Sequence, residues 1–208
     1  MKKIFVTGIG TEIGKTFCAA ILVEALKADY WKPLQAGELD QLDSDWIRKS
    51  ISNSKSIIHA ENFLLSQPMS PHAAAKIDGV NLTVDSFSIP KTENNLIIEG
   101  AGGLMVPLNE QGDLLIDLIP KLADEVVLIS KNYLGSINHT LMSIALLQQR
   151  KIPIVGIIFN GEENKETESI ILKLTGVKCI GKIPFLKGDV QKFVLEQANL
   201  LANFFNGN

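Results

Sequence analysis

The sequence predicts an α/β fold, a single domain over residues 1–208 with a mostly parallel central sheet flanked by helices. Two observations carry this. Apolar runs rich in Val and Ile, with no polar alternation, recur along the chain and suit strands buried on both faces. Helical stretches alternate with them, as right-handed β–α–β crossovers require.

The first strand, Ile4 to Val6, breaks at glycines in Gly8-Ile9-Gly10-Thr11-Glu12-Ile13-Gly14-Lys15-Thr16 and reopens as a helical pattern from Lys15. Strand, glycine loop, Lys-Thr and helix is the layout of a phosphate-binding loop, so the expectation narrows to a P-loop NTPase-like fold. Such a loop turns backbone N–H groups toward phosphate at a helix N-terminus. In that reading Lys15 reaches the β- and γ-phosphates and the Thr16 hydroxyl ligates Mg²⁺. Five residues separate Gly8 from Gly14 and three separate Gly10 from it, against the usual four. A dinucleotide-type G-x-G-x-x-G would need glycine at Ile13 and gives Lys15-Thr16 no role.

Phe17, Ala20, Ile21, Val23, Ala25 and Leu26 make an apolar first helix. A short strand over Tyr30 to Lys32 stops at Pro33, which cannot donate to a ladder. Leu34 to Gly37 reads as a turn, and 45–50 as a short helix capped by Ser44 or Asp43. From Ile51 to Thr92 the pattern is weak, with a loop at Ser66 to His72 running into helical Ala73 to Lys76. Strands are expected at Asn95 to Glu99, Glu125 to Ser130, Pro153 to Phe159 and Cys179 to Ile183. Helices are expected at Leu114 to Leu122 (limited by Pro120), Ser136 to Arg150, Lys165 to Thr175 and Val190 to Phe205.

Composition narrows the function. Net charge is −3 with 46% hydrophobic and 21% charged residues, which gives no basic field for nucleic acid. No apolar run reaches the length of a membrane span, and Met1-Lys2-Lys3 leads directly into a strand, so no nucleic acid or membrane partner is expected and the location is cytoplasmic. Cys18 and Cys179 lie far apart and form no metal or redox motif. His59, His72 and His139 are scattered.

In parallel sheets ligands gather at the carboxyl ends of strands. Glu99 closes an apolar strand as a carboxylate near the Thr16 metal would, and the glycines after it allow backbone to approach a ligand. A plain strand-end glutamate is the alternative. Asp45 reads equally as a second metal carboxylate or a helix cap. Lys32 points a cation at phosphate or at an anionic substrate, or is a solvated charge. Asn160 offers the donor and acceptor of a base edge, or is a turn residue before Gly161.

Taken together, Gly8-x5-Gly14-Lys15-Thr16 with Thr11-Glu12, Lys32-Pro33, Ser44-Asp45, Ser70-Pro71-His72, Glu99-Gly100-Ala101-Gly102-Gly103, Leu134-Gly135-Ser136-Ile137-Asn138-His139, Asn160 and Gly181-Lys182-Ile183-Pro184 resemble the dethiobiotin synthetase family across nearly the whole chain. The resemblance implies an ATP- and Mg²⁺-dependent ligase of biotin synthesis that closes a ureido ring on 7,8-diaminopelargonic acid with CO₂. It implies phosphate contacts from Glu12, Ile13, Gly14, Lys15, Thr16 and Phe17, and Mg²⁺ on Thr16, Asp45 and Glu99. Gly100, Ala101 and Gly102 would border the nucleotide. Asn160, Pro184, Phe185 and Leu186 would hold adenine. Lys15 and Lys32 would be catalytic. Thr11 and Lys32 would contact substrate, together with Gly135, Ser136, Ile137 and Asn138 from the partner in a homodimer. Two positions depart from the family pattern. Ala36 stands where a hydroxyl residue is usual, and Tyr133 where some members carry lysine.

A partition or site-selection ATPase, the alternative reading, typically has an extra lysine early in the loop. Gly8-Ile9-Gly10-Thr11 has none. A cobyrinic acid-type amidating enzyme carries a further glutaminase domain, for which the chain has no room.

Overall fold

The computed structural model describes residues 1–206. Its main sheet has six strands, all pairs parallel, in the order β2-β5-β1-β6-β7-β8. These are β1 (Lys3–Gly8), β2 (Asp29–Trp31), β5 (Leu96–Gly103), β6 (Glu125–Lys131), β7 (Ile154–Asn160) and β8 (Cys179–Ile183). Chain order reverses around β1, which lies between β5 and β6, so the end of β1 is where a ligand crevice is expected.

Period-2 alternation divides the strands between two cores. Ile4, Val6, Tyr30, Ile97, Val127 and Ile129 face α1 (Lys15–Leu26) and α7 (Val190–Asn206). Phe5, Trp31, Leu96, Ile98 and Val126 face the other way, toward α3 (Pro71–Asp78) and α4 (Leu115–Leu122). Both faces are covered, which is why the strands carry uninterrupted apolar runs. Helix α1 is covered on nearly every side, with Cys18 through Val23 fully buried. At roughly 1.5–3 kcal/mol for each large buried side chain, its Ile21, Leu22 and Val23 fasten the glycine loop to the core.

Three expectations need correction. Leu34–Ala36 is not a turn but β3, paired in parallel with β4 (Phe63–Leu65) in a separate two-stranded sheet. Strand β5 does not end at Glu99; its glycines continue the ladder, with Gly103 opposite Gly8. Helix α2 spans Asp43–Ser50 with Leu42 at its N-cap, so Asp43 and Ser44 are helical residues and neither caps the helix by a side-chain hydrogen bond. Helix α4 lies within a residue of its expected limits and runs through Pro120 to Leu122, held by the burial of Leu118, Ile119 and Leu122. Helix α3 starts at Pro71, where a missing N–H costs nothing. Helices α5 (Ser136–Gln149) and α6 (Lys165–Thr175) lie at or within a residue of their expected limits. No helix among the described residues is long and apolar enough to cross a membrane.

Candidate active site

The ends of β1, β2 and β5 open into a cavity of about 610 Å³. The glycine loop forms one wall. Glu12 and Gly14 both take left-handed backbone, with φ of 56° and 88°, and Gly14 is the N-cap of α1. Glycine is needed at Gly14 for a second reason: a Cβ there would lie 2.1 Å from Asn160 Nδ2. It is needed at Gly8 because Ile13, buried beneath the loop, comes equally close. Gly10 has open space where a Cβ would point. Lys15, only 7% exposed, donates from Nζ to the Gly10 carbonyl at 3.0 Å.

Opposite the loop is a charged cluster positioned by strand register. Tyr30 pairs with Ile97 on β5, so Tyr30, Lys32, Ile97 and Glu99 share the face toward α1. Thr16 Oγ1 donates to Glu99 Oε1 at 2.7 Å. The Tyr30 hydroxyl donates to Glu99 Oε2 at 2.8 Å. Lys32 Nζ lies 3.6 Å from Glu99 Oε1 and pairs with Asp43. Burial pushes the Lys15 ammonium down from its usual range, with Lys32 adding to the effect and Glu99 opposing it. Burial acts on Lys32 in the same direction, but Glu99 and Asp43 outweigh it and hold Lys32 above the ordinary lysine range. The cleft therefore presents a firmly charged Lys32 across from a less basic Lys15.

Several expected site residues stand elsewhere. Asp45 is outside the cavity, its carboxylate 2.5 Å from Arg48 and about half exposed. Asp43 lines the cavity instead. Residues two apart on a helix differ by roughly 200° around its axis, so both cannot face inward. Gly100 is buried against the Phe5 ring, where an added Cβ would lie 2.7 Å away, so it is a packing glycine; Ala101 and Gly102 do line the cavity. The Phe17 ring stacks on Phe193 and meets Trp46 edge-on, which leaves only its backbone beside the loop. Thr11 and Glu12 are exposed on the cavity rim. Asn160 lies at the loop, where one Nδ2 hydrogen goes to Ile13 O at 2.8 Å, leaving Oδ1 and the second Nδ2 hydrogen. Pro184, Phe185 and Leu186 form an exposed stretch after β8, with the Phe185 ring against Gly161.

Gly135, Ser136, Ile137 and Asn138 form the N-terminus of α5, begun by Gly135 at φ 102°. They are not brought to the cavity at the glycine loop. Gly135 and Ile137 line a separate one of about 500 Å³, beside a fully exposed Leu134. Residues the sequence did not single out are Tyr30, and Pro68 and Met69 on the wall of this cavity beside the Ser70-Pro71 motif. Tyr30 was readable only as a residue two before Lys32, hence on its face.

A protein-family model described as AAA domain matches residues 2–191. The chain is 54% identical over 182 residues to ATP-dependent dethiobiotin synthetase BioD of Christiangramia forsetii, covering 88% of this chain and 87% of that protein. It is 52% identical over 181 residues to the enzyme of the same name from Cytophaga hutchinsonii, covering 86% and 87%. Among solved structures, the septum site-determining protein MinD complexed with Mg-ADP from Pyrococcus horikoshii superposes with a TM-score of 0.60 at 13% identity, over 99% of this chain and 96% of that one. The cell division ATPase MinD of Pyrococcus furiosus gives 0.59 at 12% identity, over 100% and 99%. At such identity the likeness to these two structures is one of fold.

Proposed function

The chain belongs to the ATP-dependent dethiobiotin synthetase family, enzymes of biotin synthesis, and from that premise we propose how its cleft carries out the reaction. One amine of 7,8-diaminopelargonic acid takes up CO₂ and loses a proton to give a carbamate. A carbamate oxygen attacks the γ-phosphate of ATP, ADP leaves, and a carbamic–phosphoric anhydride results. The second amine then attacks the carbonyl carbon, phosphate departs and the ureido ring closes.

The observation that carries this reading is the convergence of Lys15, Lys32, Thr16 and Glu99 on one cavity. Phosphoryl transfer asks a protein for positioning and charge neutralisation rather than for a nucleophile. Lys15 would follow the transferring phosphoryl group. Lys32, held charged by Glu99 and Asp43, would pair with the anionic carbamate as it forms. The Thr16 hydroxyl and the Glu99 carboxylate, 2.7 Å apart, are the hard oxygen donors that suit Mg²⁺. Among the described residues no group of three acidic, His or Cys side chains forms a cage. Mg²⁺ is ordinarily held by one or two carboxylates together with substrate phosphates, so the donor set fits. Bound there, it would neutralise charge on the β- and γ-phosphates. Asp45, which the family resemblance puts on the metal, would join only by leaving Arg48.

The Asn160 Oδ1 and the Pro184-Phe185-Leu186 stretch would border the adenine. The N-terminus of α5 would receive the substrate carboxylate from a second copy of the chain, since within one chain it lies apart from the phosphate cavity. This homodimer would act in the cytoplasm, in keeping with two unpaired cysteines.

The test is an assay with labelled bicarbonate. ATP turnover should require both the diamine and bicarbonate, and the label should appear in an acid-stable cyclic urea. ATP hydrolysis at the full rate without the diamine, or an unlabelled product, overturns the assignment.

A further inference from the structure

We infer that Tyr30 is a positioning residue for the metal site, setting which oxygen of Glu99 meets the cation. The inference rests on the reading of Glu99 as a magnesium ligand and goes one layer beyond it.

A carboxylate has two equivalent oxygens, and a cation can take either or both. In this protein the two are made different. Oε1 faces Thr16 and Lys32, whereas Oε2 accepts the Tyr30 hydroxyl at 2.8 Å. Glu99 is 1% exposed and Tyr30 is fully buried, so no water competes for that bond at the protein surface. Register makes the contact rigid. Tyr30 stands opposite Ile97, so its ring runs diagonally along the shared face to the residue two positions on. Its backbone is tied on the outer side as well, with its N–H donating to Ile57 O and its C=O accepting from His59 N, at 2.9 Å each. A phenol held in this way donates one bond in one direction. Oε2 is occupied, and Oε1 alone remains to face the cleft.

Outer partners that orient a metal-binding carboxylate are worth about tenfold or more in metal affinity. Tyr30→Phe keeps the ring and deletes the donor. The Mg²⁺ concentration that half-saturates ADP binding, measured by calorimetry, should rise about tenfold, with ADP affinity in EDTA unchanged. A purely structural Tyr30 would lower the melting temperature and leave the Mg²⁺ dependence unmoved, and that result overturns the inference.

Glu99→Gln separates the two layers. If it leaves the Mg²⁺ dependence intact, Glu99 is no ligand and the underlying reading fails. If Glu99→Gln abolishes it and Tyr30→Phe does not alter it, only the role of Tyr30 fails. Should Tyr30→Phe not fold, fluorotyrosine incorporated into a Tyr133→Phe background reports on Tyr30 alone, because the chain has two tyrosines. Its fluorine resonance should shift when Mg²⁺ is added to the ADP complex. A resonance indifferent to Mg²⁺ overturns the inference.

Discussion

Helices α1 and α5 are built by one device and put to different use. Each follows a strand of the main sheet, and each is entered through a glycine in left-handed backbone, Gly14 or Gly135, with no side-chain cap. Neither has an acidic residue in its first turn, so both leave backbone N–H groups and the positive end of the helix dipole for an anion. Their surroundings differ. Helix α1 is enclosed, with a loop, two lysines and a fixed carboxylate about its first turn. Helix α5 buries a stripe of Ser136, Thr140, Ile144 and Leu147 and leaves Ile137 and Met142 exposed, with Leu134 exposed just before it. An anion site thus needs more than a helix end. The first has its complement within the chain; on the function proposed above, the second would take its complement from another copy.

The largest effects should come from the charges at α1. Lys15→Ala and Lys32→Ala should each lower kcat by about 10²–10³-fold, the scale of losing one donor to developing charge. They should part company in binding: Lys15→Ala weakens ATP binding, whereas Lys32→Ala leaves ATP affinity close to that of the parent. Equal loss of ATP affinity in both, by calorimetry, would remove the carbamate role from Lys32.

The two glycines test the shared device next. Gly14→Ala forces a left-handed residue, costing about 1–2 kcal/mol, and also collides with Asn160. Nucleotide binding and melting temperature should both fall. Gly135→Ala meets nothing nearer than His139 at 3.9 Å, so only the backbone cost remains. Melting temperature should fall less than in Gly14→Ala, and among the Michaelis constants only KM for the diamine should rise. A rise in KM for ATP there would mean that the two helix ends are not separate sites.

Leu134→Asp is the sharper probe of what α5 lacks. If the fully exposed Leu134 is buried between two copies, its loss should cost about 2 kcal/mol, near thirtyfold in dimer dissociation. Light scattering should show dissociation at lower dilution, with KM for the diamine raised and ADP affinity unchanged. A variant that stays dimeric, with normal diamine KM, would place the second site elsewhere.

The same contrast explains what could be read from the sequence. The loop, α1 and Glu99 are contiguous patterns whose chemistry and burial coincide, so they were legible. Strands β3 and β4 were not, because two three-residue strands separated by α2 and its flanking loops carry no periodicity of their own. Asp43 and Asp45 could not be told apart without the helix start, since a shift of two residues reverses the face. The contact of Tyr30 with Glu99 exists only across two strands. Gly100 looked like its neighbours, and only the packing of Phe5 distinguishes it.

The smallest effect concerns the other end of α1. Glu24 is 1% exposed and accepts bonds from Lys27, the Ser52 and Asn53 backbone N–H groups and their side chains, tying α1 to the segment after α2. Burial pushes its carboxyl up, but these donors together outweigh it and hold the pKa at about 2, below the ordinary 4.5. A depressed folded-state pKa contributes stability that is fully present above the unfolded value and is lost as pH falls through the folded one. The urea midpoint should therefore drop as pH falls from 4.5 toward 2. Glu24→Gln should be less stable near neutrality and show a flatter dependence in that window, its gap to the parent narrowing as pH falls. ADP affinity at neutral pH should stay unchanged, because the first turn of α1 is held independently by Ile13, Cys18 and the loop. An unaltered pH slope would show that the tie is not electrostatic, and a loss of ADP binding would show that the two ends of α1 are coupled.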